Sequence, residues 1–445
     1  MSISFDPDGS FSALSENIPC EAFLKLGRAA AEIMCHGGRL LVGTDTRISS
    51  AAFEQALTAG ILSAGCEAVL LGVIPQPAGA YLVKKTGADG FVYIGSADGE
   101  ADSCGAVIYG SGGRRIGEDV IEKINEKLKG GRHSKNISFG TRSSYPDAIG
   151  DYIAFILRNC SSDLSGMTIA ADCANGAVSE AAEKLFSSFG AKVYLLNCDP
   201  DGNNINRECG ISHMESLSEF VRNRKCDLGI SFDGTGSKCL AVDENGTAID
   251  GEKLLAVFAK DMRERGALKK NSVVVSASVN TGFIVFADEN KIKDVTTRSG
   301  GRYITEKLVS GGYSLGGELS GNILFGDISC ESDGLLTAVM LLSAVKRSGK
   351  KFSELCSVME RYPQVALNVK ISEDWREVWK NIPELEEMIE KKEKELDGFG
   401  RIAVRENPSE PVIRVSVEGK HFDAVNDMAV EIAGAIKRLC PSHQC

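Results

Sequence analysis

Apolar positions in the first part of the chain alternate between two spacings. Residues 21–34 carry apolar side chains near the helical period of 3.6, and residues 39–43 form a short apolar run typical of a buried strand. A second helix and a strand over residues 66–71 follow. This alternation of strands and helices predicts a parallel sheet with helices on both faces.

The same helix–glycine–strand pattern recurs twice further along the chain. Residues 62–71 are echoed by residues 186–196 and, more loosely, by residues 308–315. In each copy a predicted helix ends at glycine, which tolerates the left-handed backbone conformation. The repetition predicts three related α/β domains.

The last part of the chain has a different pattern. Residues 384–396 read as a charged helix, residues 401–405 and 412–418 as strands, and residues 421–439 as an amphipathic helix. This segment predicts a smaller α+β domain. The four predicted domains comprise residues 1–143, 144–250, 251–365 and 366–445.

Composition limits the possible partners and location. The chain has 445 residues and a formal net charge of −11, which argues against nucleic acid or an anionic membrane as a partner. No apolar run reaches the length of a membrane span, and the first residues lack a secretion signal, so we expect a cytoplasmic protein. The 14 cysteines and five histidines are scattered, which indicates reduced thiols and no zinc site.

The loop at residues 233–238, with the sequence DGTGSK, lies between two predicted apolar strands. Its small residues and leading Asp233 suit a cation held beside a phosphate. However, Mg²⁺ usually requires several oxygen ligands, with carboxylates among them. Thr235 and Ser237 offer only neutral oxygens, and Lys238 adds positive charge. The loop therefore resembles a metal site whose negative charge has been removed.

Ser96 directly follows a predicted buried strand. The ends of such strands are where α/β proteins bind ligands. A nucleophilic or phosphorylated serine needs activation by a base, a positive charge or a metal, whereas Ser96 is followed by Asp98, Glu100 and Asp102. From local chemistry alone, an ordinary turn serine is the better interpretation.

Three further loops carry weaker signals. Arg47 lies between a strand and a helix, where it suits a phosphate site or a simple pair with Asp45. The glycine-rich residues 316–321 suit hydrogen bonds to sugar hydroxyls, because the backbone can approach closely at glycine, or form a plain turn. Residues 405–414 suit a phosphate clamp or a hairpin turn.

These motifs, in this order, resemble the α-D-phosphohexomutase superfamily, and within it most closely the phosphoglucosamine mutases. The similarity spans nearly the whole chain. The segments that carry it are Gly72–Ala78 (GVIPQPA), Asp172–Ala177 (DCANGA), Asp201–Asn206 (DGNNIN), Gly316–Gly321 (GGELSG), Asp333–Ala338 (DGLLTA) and Glu410–Val415 (EPVIRV).

The resemblance implies four domains around one cleft and an enzyme that interconverts glucosamine 6-phosphate and glucosamine 1-phosphate. In that family a phosphoserine passes its phosphoryl group to the sugar phosphate and takes back the other, while Mg²⁺ bridges the phosphoserine and three aspartates. The residues that match catalytic positions are Ser96 and Arg47, and Asp233 matches a metal ligand. The substrate-binding positions are matched by Glu318, Ser320, Arg302, Arg405, Ser409 and Arg414.

The chain also departs from the family pattern. The departures are Ala97 and Val107 near the serine, Thr235 and Ser237 in place of two metal aspartates, Lys238 in place of an arginine, Gly301 in place of an aspartate, and Pro408 in the phosphate loop. These positions handle the phosphoryl group and its counter-charge, so the pattern predicts weakened or lost Mg²⁺ binding.

Three hypotheses follow from the departures. The first is a catalytically impaired relative that binds a hexose phosphate weakly, or acts through protein contacts as a homo-oligomer or beside an active mutase. The alternative is an active phosphoglucosamine mutase whose metal site is restored by Asp98 or Asp102. A third hypothesis places the ammonium of Lys238 in the vacated cation position, paired with Asp233.

Overall fold

Four sheets contain the named strands in the described part of the chain. The computed structural model describes residues 3–6, 9–35, 38–130, 138–160, 163–376, 378–407 and 410–441. The chain divides into two units, of which unit 1 comprises Met1–Ala277 and Lys293–Ser357 and unit 2 comprises Ser278–Ile292 and Val358–Cys445.

The first sheet of unit 1 has the strand order β1-β5-β4-β2-β3-β6. Its strands and helices are β1 (Ser10–Leu14), α1 (Cys20–Met34), β2 (Arg39–Thr44), α2 (Ile48–Ser63), β3 (Glu67–Val73), α3 (Gln76–Thr86), β4 (Gly90–Ile94), β5 (Ser103–Gly110), α4 (Glu118–Leu128) and β6 (Arg142–Ser144). Strand β2 pairs in parallel with β3 and β4, and β5 runs antiparallel to β1 and β4. Helices α1 and α2 pack closely at Gly27 and Gly60, because neither residue has a side chain. A Cβ atom at either position would collide with the backbone of the other helix.

The second sheet of unit 1 has the order β11-β10-β9-β7-β8. Its elements are α5 (Ala148–Asn159), β7 (Thr168–Asp172), α6 (Ser179–Ser187), β8 (Lys192–Leu196), α7 (Glu215–Arg224), β9 (Leu228–Phe232), β10 (Cys239–Asp243) and β11 (Ala248–Ile249). Strands β9 and β10 pair antiparallel. Residues 233–238 are therefore the turn of a hairpin at the edge where β7 and β9 end.

The third sheet has the order β13-β12-β14-β15. The chain here forms α8 (Gly251–Glu264), β12 (Ser272–Ser276), α9 (Thr281–Glu289), β13 (Lys293–Thr297), α10 (Gly301–Gly311), β14 (Leu315–Gly317), β15 (Ile323–Phe325), α11 (Gly334–Ser348) and α12 (Phe352–Cys356). Helix α9 belongs to unit 2 although it connects two strands of unit 1. Helix α11 is capped by Asp333, whose side chain accepts a hydrogen bond from the Leu336 backbone N–H.

Unit 2 contains the antiparallel sheet β16-β18-β17. Its elements are β16 (Gln364–Lys370), α13 (Pro383–Glu395), β17 (Gly400–Glu406), β18 (Val412–Gly419) and α14 (Phe422–Leu439). The N-terminal end of α9 is joined to them by hydrogen bonds. The Asn280 side chain donates to Tyr362 O at 3.0 Å and accepts from Tyr362 N at 2.9 Å. The Thr281 backbone N–H donates to the buried Glu418 carboxylate.

The fold class expected from the sequence, three α/β domains and a smaller C-terminal α+β domain, is confirmed. The predicted strands and helices lie within a few residues of the observed ones, as for α14, predicted at residues 421–439. The four predicted domain boundaries stay predictions. Within the described ranges, no helix is both long and apolar enough to cross a membrane.

Candidate functional site

The hairpin turn at residues 233–238 closes on its own carboxylate. Asp233 Oδ2 accepts hydrogen bonds from Thr235 N at 3.1 Å, Thr235 Oγ1 at 2.5 Å and Ser237 Oγ at 3.2 Å. Asp233 Oδ1 accepts a bond from the Lys238 backbone N–H at 2.6 Å. Both carboxylate oxygens are therefore used by groups of the same turn.

The turn is also buried and is hydrogen-bonded to a residue outside it. Asp233, Thr235 and Ser237 are at most 4% exposed. The Gln76 backbone N–H donates to Thr235 O at 2.9 Å. Burial raises the pKa of Asp233, against the opposing effects of the nearby Lys238 charge and the hydrogen bonds. These contacts hold the turn in one conformation.

The turn does not fit a resident Mg²⁺ ion. Mg²⁺ prefers near-octahedral oxygen ligation that includes carboxylates, whereas the only carboxylate of this turn is satisfied by internal donors. Among the residues that the structure describes, no three His, Cys, Asp or Glu side chains are grouped so as to hold a metal. Thr235 Oγ1 and Ser237 Oγ lie 3.0 Å apart, and both are within hydrogen-bond distance of Asp233 Oδ2 rather than part of an open ligand shell.

The prediction that the Lys238 ammonium pairs with Asp233 is wrong. Lys238 Nζ lies 2.9 and 3.1 Å from the two carboxylate oxygens of Asp98. Only the backbone N–H of Lys238 reaches Asp233. The physical reason is that the oxygens of Asp233 are already occupied inside the turn, so the long side chain extends to a partner on another loop.

Ser96 begins the loop that follows β4 and is half-buried. Its Oγ donates to Asp98 O at 2.8 Å, and its backbone N–H donates to Asp45 Oδ2 at 3.3 Å. The hydroxyl thus lies at a strand end, where the sequence placed it, with its proton held by a local carbonyl.

The guanidinium of Arg47 holds the Ser96 loop through hydrogen bonds to its backbone. Its side chain is buried and pairs with Asp45. Its guanidinium also donates to Ser96 O at 3.0 Å, Gly99 O at 2.7 Å and Glu100 O at 3.0 Å. Because these donors are occupied by backbone carbonyls, Arg47 shapes the loop, and its predicted catalytic role stays a prediction.

A second support of this loop, Asn206, had no role assigned from the sequence. Its Nδ2 donates to Ala97 O at 3.1 Å and Gly99 O at 2.8 Å. Asn206 adopts a left-handed conformation, with φ of 56°, which asparagine tolerates better than most residues. The sequence feature that could have identified Asn206 as a site residue is its place at the end of the Asp201–Asn206 motif.

Glu318 and Ser320 contact each other, and their predicted role in sugar binding stays a prediction. Glu318 Oε1 accepts hydrogen bonds from Asn322 Nδ2 at 2.7 Å and Ser320 Oγ at 3.2 Å. Glu318 Oε2 accepts a bond from Gly300 N at 3.3 Å. These bonds hold the carboxylate in place before any ligand binds, and Asn322 is a member of the group that the sequence did not single out.

Arg302 is less accessible to a ligand than the sequence suggested. It lies in the first turn of α10, and its side chain is 7% exposed. Its Nε donates to Glu306 Oε1 at 2.7 Å, one turn further along the helix. The predicted role of Arg302 in substrate binding stays a prediction.

A cavity of about 470 Å³ in unit 1 brings these loops together, within the usual volume of small-molecule sites. Its lining residues are Ser10, Phe11, Ser12, Gln76, Gly95, Ser96, Ala97, Asp98, Gly99, Ser103, Val107, Arg115, Ser237, Lys238, Gly300, Gly301, Glu318 and Asn322. The sequence analysis did not identify Arg115 as a site residue, because only a glycine-rich turn precedes it in the sequence. It lies 3.4 Å from the buried carboxylate of Glu331.

Unit 2 carries the remaining predicted site residues. Arg405 on β17 and Arg414 on β18 are directly opposite each other in the antiparallel register, and both are exposed. Neither has an ion-pair partner among the described residues. Pro408 and Ser409, in the connecting loop, lie outside the described residues. Two adjacent guanidinium groups are suited to bind a phosphate.

Four family profiles match consecutive parts of the chain. They are phosphoglucomutase/phosphomannomutase alpha/beta/alpha domain I at residues 5–135, domain II at residues 145–246, domain III at residues 250–362, and the C-terminal domain at residues 367–435.

Individual proteins agree with these profiles. The chain is 37% identical over 445 residues to a phosphoglucosamine mutase of Clostridium tetani, covering 98% of this chain and 99% of that protein. It is 40% identical over 441 residues to that of Clostridium acetobutylicum, covering 98% of each. A phosphoglucomutase/phosphomannomutase family protein of Burkholderia thailandensis has the same fold, with a TM-score of 0.80, 20% identity, and coverage of 97% and 96% of the two chains.

A more distant structure is N-acetylphosphoglucosamine mutase of Aspergillus fumigatus in complex with GlcNAc-6P and magnesium. It superposes with a TM-score of 0.66 at 14% identity, covering 98% of this chain and 96% of that chain. The profiles and the relatives together show that this chain belongs to the α-D-phosphohexomutase superfamily and resembles phosphoglucosamine mutase.

Proposed function

We propose that this protein binds a hexose phosphate of the glucosamine 6-phosphate type in the cavity beside Ser96, with phosphoryl transfer far slower than in ordinary mutases. The substrate class is supported by relatives of 37–40% identity that are named phosphoglucosamine mutases. The observation that carries the proposal of slow transfer is the closed turn around Asp233, whose oxygens are occupied by Thr235, Ser237 and the backbone.

The energetics of phosphoryl transfer support a large loss of rate. The protein contributes almost entirely by positioning the groups and by stabilising charge electrostatically. Removal of one such stabilising group costs roughly 10²–10³ in rate in well-studied enzymes. This chain has Val107, Thr235 and Ser237 where the family places charged groups, so several such losses combine even if they are not additive.

The residues that remain are suited to binding. Glu318, held by Asn322 and Ser320, offers a fixed acceptor for sugar hydroxyls. Lys238 lines the same cavity and supplies a cation there. In unit 2, Arg405 and Arg414 form a separate cationic group that is suited to bind a phosphate. These features support the retention of sugar-phosphate binding despite the loss of the family's metal ligands.

The test is an assay of pure protein with glucosamine 6-phosphate, Mg²⁺ and catalytic glucose 1,6-bisphosphate, alongside calorimetric binding of glucosamine 6-phosphate. We expect measurable binding and turnover at least 10³-fold below that of an active relative, on the basis of two or more missing stabilising groups. Turnover within tenfold of the active relative would refute the impairment.

The second candidate is a working mutase with a modified metal site. It is favoured by Ser96, which lies two residues after the end of β4 and lines the same cavity as Glu318. Intact-mass analysis of the purified protein distinguishes the two. A phosphate on Ser96, lost in Ser96→Ala together with turnover, would support the working mutase.

We further propose a cytoplasmic location, in agreement with the acidic composition and the absence of a membrane-spanning helix in the described ranges.

A protein that binds sugar phosphate without efficient turnover would act through contacts with a second copy or with an active mutase. Co-purification of tagged protein with an active mutase from the source cells, retained at 150 mM salt and reduced by added glucosamine 6-phosphate, is the result that this role predicts.

A further inference from the structure

The ion pair between Lys238 and Asp98 occupies the part of the cavity next to Ser96. The ammonium is 2.9 and 3.1 Å from the two carboxylate oxygens. The Lys238 side chain is 13% exposed, whereas that of Asp98 is 71% exposed. The cation is therefore largely enclosed, and its only anionic partner in the described part of the chain approaches from the solvent side.

The loop that carries Asp98 is also held by contacts that do not involve this ion pair. Its backbone carbonyls are held by the guanidinium of Arg47 and by Asn206 Nδ2. The Asp98 carboxylate itself has Lys238 as its partner. Loss of that carboxylate should thus leave the loop in place and leave the enclosed ammonium without a direct ion-pair partner.

An enclosed ammonium without a direct ion-pair partner is a good site for an anion, because low solvent exposure weakens screening. Asp233 lies near enough for its charge to act on Lys238, but its oxygens accept hydrogen bonds inside the turn, so it does not form an ion pair with the ammonium. A phosphate monoester brings close to two negative charges and three acceptor oxygens, more than one exposed carboxylate offers. The hydroxyls of Ser96 and Ser237 also line the cavity; each would have to turn from its present acceptor, Asp98 O or Asp233 Oδ2, to donate to a phosphate.

We infer that Lys238 is a metal-independent receptor for the phosphate group of a sugar phosphate, and that Asp98 is an internal carboxylate that competes for it. This inference rests on the proposed binding of a hexose phosphate. It adds that the phosphate displaces Asp98 from Lys238, so that Asp98 lowers the affinity, and that no divalent cation is required.

The experiment is calorimetric titration of the full-length protein with glucosamine 6-phosphate, in EDTA and again in Mg²⁺. The variants are Asp98→Asn, Lys238→Met and the double variant, with Asp102→Asn as a control that removes the same charge from an exposed position four residues away. Inorganic phosphate serves as a competing probe that lacks the sugar.

We expect Asp98→Asn to bind about 2- to 5-fold more tightly than the wild type, the size of a competing exposed ion pair. Lys238→Met should bind at least about tenfold more weakly, and Asp102→Asn should match the wild type. In the double variant the gain from Asp98→Asn should vanish. EDTA should change none of these affinities, and inorganic phosphate should compete.

An Asp98→Asn variant that binds no more tightly than Asp102→Asn would overturn the inference, as would binding that requires Mg²⁺. If wild type and Asp98→Asn both fail to bind any hexose phosphate, the proposed function fails as well. If the wild type binds and the affinity is unchanged by Asp98→Asn, the inference fails while the proposed function stands.

Discussion

The hydroxyl of Tyr152 donates a hydrogen bond of 2.6 Å to Asp333 Oδ1 in the interior of unit 1. Asp333 is 2% exposed and also caps α11 through Leu336 N at 2.9 Å. Its Oδ2 has no hydrogen-bond partner among the described residues. Burial raises the pKa of Asp333 from 3.8 to about 6, against the opposing effect of these hydrogen bonds.

We therefore predict that Asp333→Asn changes the pH dependence of stability. Since the folded pKa lies above the unfolded value, the stabilisation from the protonated form is complete below about pH 4 and is lost as the pH rises through about 6. The free energy of unfolding of the variant, relative to wild type, should rise by roughly 2–3 kcal/mol between pH 4 and pH 8.

Urea unfolding followed by circular dichroism checks this change. The tryptophans, Trp375 and Trp379, lie in unit 2 and would not report on Asp333 in unit 1. Asp147→Asn is the matched control, because Asp147 is an exposed cap of α5. Parallel pH profiles for wild type and Asp333→Asn would contradict the prediction.

Restoring the missing carboxylates should create a metal requirement. The double variant Thr235→Asp/Ser237→Asp places three carboxylates in one turn, and their repulsion should lower stability in EDTA by several kcal/mol. Mg²⁺ at 100 times its dissociation constant should restore about 2.7 kcal/mol. Thermal unfolding with and without Mg²⁺ measures this. The neutral isostere Thr235→Asn/Ser237→Asn should show no metal effect, and a wild-type protein stabilised by Mg²⁺ would argue against the closed turn.

Arg47→Lys should destabilise unit 1 although the charge is kept. Lysine cannot reproduce the planar set of donors that reaches Ser96 O, Gly99 O and Glu100 O. We expect a loss of about 2–4 kcal/mol, because three partly buried carbonyls lose their donors. Cleavage of the loop at residues 96–102 by a non-specific protease should also accelerate. Arg265→Lys, at a partly exposed pair with Asp261, is the control; equal effects of the two changes would disprove the role of Arg47.

Arg405 and Arg414 should respond to anions. Like charges directly opposite on paired strands repel by roughly 0.2–1 kcal/mol, so Arg405→Gln should slightly stabilise unit 2 in the absence of phosphate. Added phosphate at constant ionic strength should raise the unfolding temperature of the wild type, followed by tryptophan fluorescence, and should not raise that of Arg405→Gln. Arg438→Gln, at an exposed pair with Glu384, serves as the control. A phosphate response retained in Arg405→Gln would exclude this pair as the anion site.

The sequence predicted the elements of the fold closely because they depend on local patterns. The apolar run at residues 39–43 became β2, and the predicted helix at residues 384–396 became α13 at Pro383–Glu395. The glycines that end the repeated helices have left-handed backbones, as at Gly65 and Gly312. Such features are set by residues a few positions apart, which a linear pattern records.

The partners within the site were not predictable in this way. Lys238 and Asp98 are 140 positions apart, and their pairing depends on how two sheets bring two loops together. The same holds for Asn206, which reaches Ala97 across 109 positions. The sequence indicated that charge was missing from the turn at residues 233–238. It did not indicate that the remaining carboxylate would be enclosed by its own hydroxyls.

The assignment of α9 to unit 2 bears on how the chain acquires its structure during synthesis. Residues 278–292 leave the ribosome well before residues 358–445, which supply the Tyr362 and Glu418 contacts of that helix. The hydrogen bonds at the start of this helix can form only after that C-terminal segment has been made. A premature stop after residue 357 would therefore leave the start of α9 without these partners, and a fragment that starts at residue 366 would lack the helix.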